Sequence, residues 1–165
     1  MIKGRRSTFA GLLLALVATP AFADGHSETA PVSNEKQTIM PEEEGARAFM
    51  EQFGFSEAVI HGDTVYLSGV IAGPATAEMT QEEAFEVTFQ YIAGVLERAG
   101  SSWDDVIDIT TYHVDIDASL LPLAEVKNRY VTAPFPAWTA IDVDRLFAPD
   151  GVVEIKVTAR VSPAE

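Results

Sequence analysis

The amino-acid sequence predicts a single α+β domain in which two helices pack against one sheet. Residues 152–161 alternate between apolar and polar side chains over a length typical of a strand. A capping box at Thr80 and Glu83 marks the start of an amphipathic helix. The strand-like and helix-like segments of the domain follow one another in the order β-β-α-β-α-β-β, which indicates a helix-backed sheet.

The first 23 residues are typical of a secretory signal peptide. Three basic residues within residues 1–6 precede an apolar run over residues 9–17, and residues 21–23, Ala-Phe-Ala, form a small-x-small cleavage site. An uncleaved membrane anchor is the alternative, but the run is shorter than the roughly 20 residues that a spanning helix needs. We therefore expect cleavage after Ala23 and a periplasmic or secreted protein. The adjacent arginine pair alone does not favour the twin-arginine export route.

The chain is strongly acidic, with 11 Lys and Arg against 25 Asp and Glu among its 165 residues. The leader holds three of the basic residues and no acidic ones, so the mature 142-residue chain has a net charge near −17. Such a chain has no basic stripe to displace counterions, and we expect neither nucleic acid nor membrane as a partner. The absence of cysteine excludes disulfides, thiolate metal sites and a cysteine nucleophile.

Two segments precede the domain in the mature chain. Residues 24–40 are polar and hold almost no large apolar side chain, which predicts a flexible tether. Residues 41–54 form an N-terminal extension, and three glutamates ahead of apolar residues predict a short helix over residues 41–50.

The domain begins at Phe55 with a predicted hairpin. Residues 56–60 and 64–68 are β-prone, and residues 61–63, His-Gly-Asp, are typical of the turn between them. Glycine and proline over residues 69–74 then break the pattern.

The middle of the domain is predicted to be helix, strand and helix. The first helix begins at Thr80 and ends at Gly100, and a strand with two partly apolar faces follows over residues 106–116. Asp117 or Ser119 is the expected cap of the second helix, which continues to about residue 131.

Two more strands are predicted over residues 137–143 and 152–161, joined by the turn-rich residues 147–151. They complete a domain over residues 55–161, and residues 162–165 remain as a tail.

Four local strings in this order and spacing resemble the Rid (YjgF) family of reactive-intermediate deaminases. They lie at residues 55–59 (FSEAV), 65–69 (VYLSG), 99–106 (AGSSWDDV) and 153–159 (VEIKVTA). The resemblance implies a chorismate-mutase-like fold, a homotrimer, and clefts between subunits that bind a small imino acid. No cofactor is implied.

The resemblance also assigns candidate site residues. Catalytic members of the family hold the substrate carboxylate with an arginine in a Pro-Ala-Arg-Ser/Thr string, because a guanidinium can donate two parallel hydrogen bonds. Here the string is Pro-Ala-Trp-Thr, with Trp138 in place of the arginine and Thr139 after it. Glu154 matches the glutamate that positions water, and Ser68 and Phe55 match residues that line the pocket.

Other positions depart from the family pattern. Phe55 replaces a tyrosine, Glu57 replaces a glutamine, and Lys127 stands where an asparagine is common. Loss of the carboxylate-binding arginine favours a neutral or cationic ligand that stacks on Trp138. The alternative is that Trp138 only fills the cleft by packing. Arg145 matches an Arg-Leu pair of the family, for which a structural role is expected.

Two functions remain open. The protein either binds a small metabolite in intersubunit clefts and hydrolyses an imine, enamine or related substrate, or is a non-catalytic binding or interaction module with the same fold. Endoribonuclease activity, sometimes attached to this family, is disfavoured by the net charge. His113 and Asp115 share a strand face but lack a third ligand, so no metal site is predicted, and no orienting acid supports a Ser68–His113 dyad.

Overall fold

The computed structural model describes residues 35–162, which form a mixed β-sheet with two helices packed on one face. The predicted signal peptide (residues 1–23), residues 24–34 of the predicted tether and residues 163–165 of the tail lie outside the described residues.

Within residues 35–162 the chain forms seven strands and three α-helices. In chain order they are β1 (Gln37–Ile39), α1 (Glu44–Phe53), β2 (Ala58–His61), β3 (Thr64–Leu67), β4 (Val70–Ala72), α2 (Gln81–Arg98), β5 (Val106–His113), α3 (Ile116–Tyr130), β6 (Ala137–Asp142) and β7 (Val153–Arg160).

The strands form one sheet in the spatial order β1-β2-β3-β7-β5-β6, and β4 also pairs with β7. Strands β5 and β6 are parallel, whereas every other described pair is antiparallel. The predicted α+β class and the mixed, helix-backed sheet are therefore confirmed.

Alternation along β7 decides which face of the sheet is buried. Val153, Ile155, Val157 and Ala159 are buried toward α2 and α3, where they meet Phe85, Phe89, Ile92, Leu96, Leu123 and Val126. Glu154 and the other alternate residues of β7 lie on the opposite face, which the helices leave uncovered. A side-chain period of two thus places the predicted catalytic glutamate away from the core.

The predicted hairpin and the predicted start of α2 are confirmed. Strands β2 and β3 pair from His61 opposite Thr64, and Gly62 has φ of 64°, a left-handed conformation that a two-residue turn needs and glycine adopts readily. Thr80 caps α2 through a complete capping box with Glu83.

Several predicted boundaries are wrong. Residues 37–39, assigned to the tether, form the edge strand β1 against β2, and Ile39 packs on the core. Residues 70–72, which lie between the predicted breaks at Gly69 and Gly73 and were not assigned to a strand, form β4 on β7. Strand β5 ends at His113, and the cap of α3 is Asp115, whose carboxylate accepts a hydrogen bond from the Ala118 amide at 3.1 Å, instead of Asp117 or Ser119.

Candidate functional site

The sheet is interrupted where β3 ends and β4 begins. Both strands pair with the same edge of β7, with Tyr66 opposite Thr158 and Val70 opposite Ile155. Ser68 and Gly69 connect the two strands and leave a gap in the ladder. A gap of this kind lets a ligand approach backbone and side chains that a continuous sheet would cover.

Glu154 lies at this gap. It pairs with Ile71 of β4 on one side and with Tyr112 of β5 on the other, and its carboxylate lies directly against Gly69. A Cβ atom at residue 69 would overlap the carboxylate, so glycine is needed there for the close approach. Among residues 35–162 no hydrogen bond or ion pair holds the Glu154 carboxylate, which leaves it available to a ligand or to water.

Ser68 is held by two backbone contacts. Its hydroxyl donates to the Ser56 carbonyl oxygen at 2.7 Å, and its amide donates to the Glu57 carbonyl oxygen at 2.9 Å. Because the hydroxyl proton is used inside the protein, the Ser68 oxygen faces the gap as an acceptor.

Four phenylalanine rings form one wall beside the gap. Phe49 and Phe53 lie one turn apart on α1 with ring centroids 4.7 Å apart. Phe55 meets Phe49 edge to face at 6.2 Å, and Phe147 from the β6–β7 loop contacts both helix rings at 5.9 to 6.2 Å. Phe53 and Phe147 remain 56% and 67% exposed, so this aromatic wall is open to solvent.

A buried carboxylate forms the floor on the α2 side. Glu57 is 4% exposed and accepts hydrogen bonds from the Tyr91 hydroxyl and, at 2.5 Å, from the Arg98 guanidinium. Burial, and then the hydrogen bond to Glu57, raise the pKa of Tyr91, which therefore stays protonated at any physiological pH. Arg98 also donates to the Met40 carbonyl oxygen and so ties the segment before α1 to α2.

These groups enclose a cavity of about 810 Å³, within the range of small-molecule sites. Its lining consists of the aromatic wall with Met50, the Glu57 and Tyr91 floor, residues 68–71, Val87, Thr88 and Glu154. A second recess of about 450 Å³ adjoins it and shares Ser68, Gly69, Phe147 and Glu154. That recess also holds two cationic side chains, Arg145 and Lys156.

The structure brings three of the five predicted site residues together. Phe55, Ser68 and Glu154 all line the large cavity. Trp138 and Thr139 lie on β6 at the edge of the sheet, with β5 between them and β7, and they line neither recess. Within one chain, the position of the missing arginine is therefore separate from the glutamate.

Trp138 is fixed by two polar contacts. Its indole N–H donates to the Thr111 hydroxyl at 3.1 Å, and the Lys127 ammonium lies 4.7 Å from the ring centroid. Lys127 is buried, and that burial lowers the pKa of its amine. The indole is 36% exposed, so one side of it faces outward from the edge strand.

The buried His113 is part of the core on the helix side. Its Nδ1 lies 2.7 Å from the Ser119 hydroxyl, whose proton goes to the Asp115 carbonyl oxygen, so Nδ1 carries the hydrogen. Its Nε2 then accepts from the Thr111 hydroxyl at 2.9 Å. Burial lowers the pKa of His113, which agrees with a neutral ring. None of these contacts involves Ser68.

Residues 35–162 contain neither a cluster of metal ligands nor a membrane-spanning helix. No group of three or more His, Asp or Glu side chains there is placed to hold a metal ion. No helix in the same range has the length and apolar character needed to cross a membrane.

Several lining residues were not predicted from the sequence. Phe49 and Phe53 are spaced by four along α1, the spacing that places two rings on one helix face, and this signal was present in the sequence. Phe147 and Tyr91 gave no local signal, because only the folded chain brings their segments to residues 68–71. Glu57 stood out as a departure from the family pattern without an assigned place.

Comparisons with known proteins identify the family. The family model described as Endoribonuclease L-PSP matches residues 46–161. A curated relative, the RutC family protein YjgH of Escherichia coli, is 31% identical over 130 residues, which cover 77% of this chain and 96% of the relative. The chain belongs to the Rid (YjgF) family.

Solved structures agree with this membership. The structure of protein YJGH covers 79% of this chain and 99% of its own, with a TM-score of 0.66 and 26% identity. RidA from the Antarctic bacterium Psychrobacter sp. PAMC 21119 covers 76% and 99%, with a TM-score of 0.60 and 28% identity. The Rid fold predicted from the four sequence strings is thus confirmed, and the family model begins within α1.

Proposed function

We propose that this Rid family protein binds a small metabolite in the cavity beside Glu154 and hydrolyses an imine or enamine there. The observation that carries the proposal is the Glu154 carboxylate, which has no polar partner among residues 35–162 and lies at the rim of the aromatic cavity beside Ser68. A carboxylate in this setting can orient a water molecule and accept its proton.

The proposed reaction needs only the substrate and water. The water oxygen bonds to the carbon of the C=N group while Glu154 accepts a proton from the water and the C=N π electrons move to nitrogen. Glu154 then gives this proton to nitrogen and a carbinolamine forms. The hydroxyl proton of the carbinolamine also passes to nitrogen as the C–N bond breaks and the carbonyl forms, and ammonia leaves. Imine and water thus give a carbonyl compound and ammonia, and Glu154 returns to its starting state.

We also propose that the protein is a homotrimer. Strand β6 pairs with β5 along one edge only, and the uncovered sheet face carries exposed apolar side chains such as Tyr66 and Ile141. A second chain docked at this edge would cover both features and would bring the neighbour's Trp138 position toward a cleft. Sedimentation equilibrium of the purified protein tests this proposal, and a monomer at micromolar concentration would contradict it.

The indole at residue 138 supports a second candidate, a binding module without deaminase chemistry. Trp138 cannot grip a carboxylate as a guanidinium does, so deamination of 2-imino acids loses its clamp. Under this candidate the cavity still binds a ligand, and the Glu154→Gln variant is as competent in binding a neutral ligand as the wild type.

Ammonia release distinguishes the two candidates. We would supply imines generated in the cuvette by an amine oxidase and by an amino-acid oxidase, and would follow ammonia with and without the protein. The hydrolase is supported if the protein accelerates ammonia release and Glu154→Gln abolishes this acceleration. The control variant Glu125→Gln, on the exposed face of α3, should release ammonia as fast as the wild type. No acceleration with any imine supports the binding module.

A gain-of-function variant tests the lost clamp. Trp138→Arg alone would place a guanidinium beside the Lys127 ammonium, so we combine it with Lys127→Asn, which matches the family pattern. The double variant is expected to hydrolyse 2-imino acids at least roughly tenfold faster than the wild type, because a charge-assisted carboxylate clamp is restored. An unchanged rate would mean that more than the clamp was lost.

RNA cleavage is not proposed, although the matching family model is described as an endoribonuclease. Within residues 35–162 the large cavity is lined by two carboxylates and no cationic side chain, and the whole chain has a net charge of −14. Both features repel a phosphate backbone.

We finally propose export to the periplasm or beyond, with cleavage after Ala23. Intact-mass measurement of the protein recovered from the periplasmic fraction checks this, and a mass that retains residues 1–23 would contradict it.

A further inference from the structure

The hydroxyl groups that line the large cavity all donate their hydrogen bonds to acceptors within the protein. Ser68 donates to the Ser56 carbonyl oxygen at 2.7 Å, Thr88 donates to the Ala84 carbonyl oxygen at 2.9 Å, and Tyr91 donates to Glu57. A ligand therefore meets hydroxyl oxygens with free lone pairs and no free hydroxyl protons. Together with the Glu154 carboxylate, the polar side chains of the cavity form a set of acceptors.

The charges that line the cavity also favour a ligand that donates hydrogen bonds and carries a positive charge. Among residues 35–162 of one chain, no Lys, Arg or His side chain lines the cavity, whereas two carboxylates do. Glu57 is neutralised by its ion pair with Arg98, but Glu154 has no such partner among residues 35–162. The negative charge of Glu154 is thus left for the ligand to balance.

The aromatic wall favours a ligand that combines a positive charge with an apolar group. Four phenylalanine rings from α1, residue 55 and the β6–β7 loop lie within 6.2 Å of a neighbouring ring. The face of an aromatic ring attracts a cation, and the same rings bury apolar groups of the ligand. A ligand with both a cationic and an apolar part fits this wall.

We infer that the large cavity takes an organic cation with N–H groups, an ammonium or iminium ion that carries an apolar or aromatic substituent and no carboxylate. This rests on the proposed function, because it assumes that the cavity beside Glu154 is the ligand site. The nitrogen lies toward Glu154, Ser68 and Tyr91, which accept its N–H groups, and the substituent lies along the aromatic wall. For the reaction, the substrate class is the imine of a simple hydrophobic amine.

The competing ligand is an anion in the smaller recess. Arg145 and Lys156 line that recess on the other side of Glu154, and together they could hold a carboxylate. An imino acid bound this way would keep the substrate class of catalytic family members. The two possibilities differ in the sign of the ligand charge and in which side chain the binding depends on.

Three probes of one shape separate these possibilities. We would titrate the purified protein by calorimetry with 2-phenylethylammonium, 2-phenylethanol and 3-phenylpropionate at pH 7 and low salt. The ammonium is expected to bind about tenfold more tightly than the alcohol, and the alcohol more tightly than the carboxylate, since the cation gains both a charge-assisted hydrogen bond and contact with ring faces.

Variants identify the groups responsible. Glu154→Gln is expected to weaken the ammonium about tenfold and to leave the alcohol unchanged, because only the charge of the acceptor is removed. Glu125→Gln removes one exposed carboxylate outside the cavity and should change neither affinity. Phe53→Ala on the exposed aromatic wall should weaken the ammonium and the alcohol together, and circular dichroism verifies that each variant is folded.

The inference is overturned if 3-phenylpropionate binds as tightly as the ammonium and Arg145→Gln abolishes that binding, or if Glu154→Gln leaves the preference for the cation intact. Failure of the proposed hydrolysis is a separate result. Cation binding without ammonia release would remove the hydrolase proposal and keep the ligand class, whereas release from 2-imino acids without cation binding would do the reverse.

Discussion

Replacing Arg98 by glutamine is expected to destabilise the protein more than replacing its partner Glu57. The two side chains form an ion pair at 2.5 Å in which Glu57 is almost fully buried and the Arg98 side chain is 30% exposed. Arg98→Gln leaves a carboxylate in the interior with only Tyr91 as a donor. Glu57→Gln leaves a guanidinium that still reaches the Met40 carbonyl oxygen and water.

The magnitudes follow from this asymmetry. Removing one partner of a buried pair costs roughly 3–5 kcal/mol, and access of water to the Arg98 side chain places Arg98→Gln near the lower end, about 3 kcal/mol. Glu57→Gln loses one charged hydrogen bond while its partner is resolvated, for about 1.5 kcal/mol. At roughly 2–4 °C per kcal/mol for a protein of this size, the melting temperatures should fall by about 6–12 °C and 3–6 °C.

The double variant tests the cause. Arg98→Gln with Glu57→Gln removes both charges, so its cost should be smaller than the sum of the single costs by about 2 kcal/mol.

Urea unfolding followed by circular dichroism measures all four proteins. One fixed protein concentration is needed, since subunit association would contribute equally to each curve only under that condition. Equal costs for the two single variants, or additive costs in the double variant, would refute the view that a buried carboxylate is held by Arg98.

Two further predictions concern single residues. Gly69→Ala should leave the fold intact but displace the Glu154 carboxylate, and we expect at least roughly a tenfold loss of ligand affinity or imine hydrolysis. Gly73→Ala is the control, because a Cβ at residue 73 meets no atom within 4 Å. Unchanged binding in Gly69→Ala would place the ligand elsewhere. Burial lowers the pKa of His113, so the unfolded chain binds the proton more readily, and stability should be complete above pH 6.5 and fall as the pH drops below it. His113→Gln should flatten this dependence between pH 7 and 5 in urea titrations, and an unaltered slope would exclude His113 as its source.

The parts of the fold that the sequence predicted are those with a long local signal. Strand β7 alternates over eight residues and α2 begins with a capping box, and both were placed within about two residues. Strands β1 and β4 have three residues each, which is too short for a period of two to be recognised, and only their pairing with β2 and β7 identifies them as strands. Asp115 caps α3 because β5 ends three residues earlier than the pattern of β-branched residues indicated.

The residues of the candidate site also divide into those that the sequence could identify and those that only the folded structure reveals. Glu154, Ser68 and Phe55, which line the large cavity, could be named from the sequence because each lies in a string that resembles the family. Phe147 and Tyr91 were not found, because they reach the cavity from a loop and a helix far away in sequence, and their contribution depends on tertiary contacts alone. The acceptor character of the cavity is also a tertiary property, since it depends on which oxygen receives each hydroxyl proton.

The two departures from the family at residues 127 and 138 are coupled through space. The resemblance to the family implies an arginine at residue 138 and an asparagine at residue 127, whereas this chain has an indole on β6 and an amine on α3. The ammonium of Lys127 lies 4.7 Å from the Trp138 ring centroid, so the ring face stabilises a cation that burial alone would disfavour. An arginine at residue 138 would repel the same ammonium. Each substitution therefore favours the other, because the ammonium of Lys127 is held against the Trp138 ring.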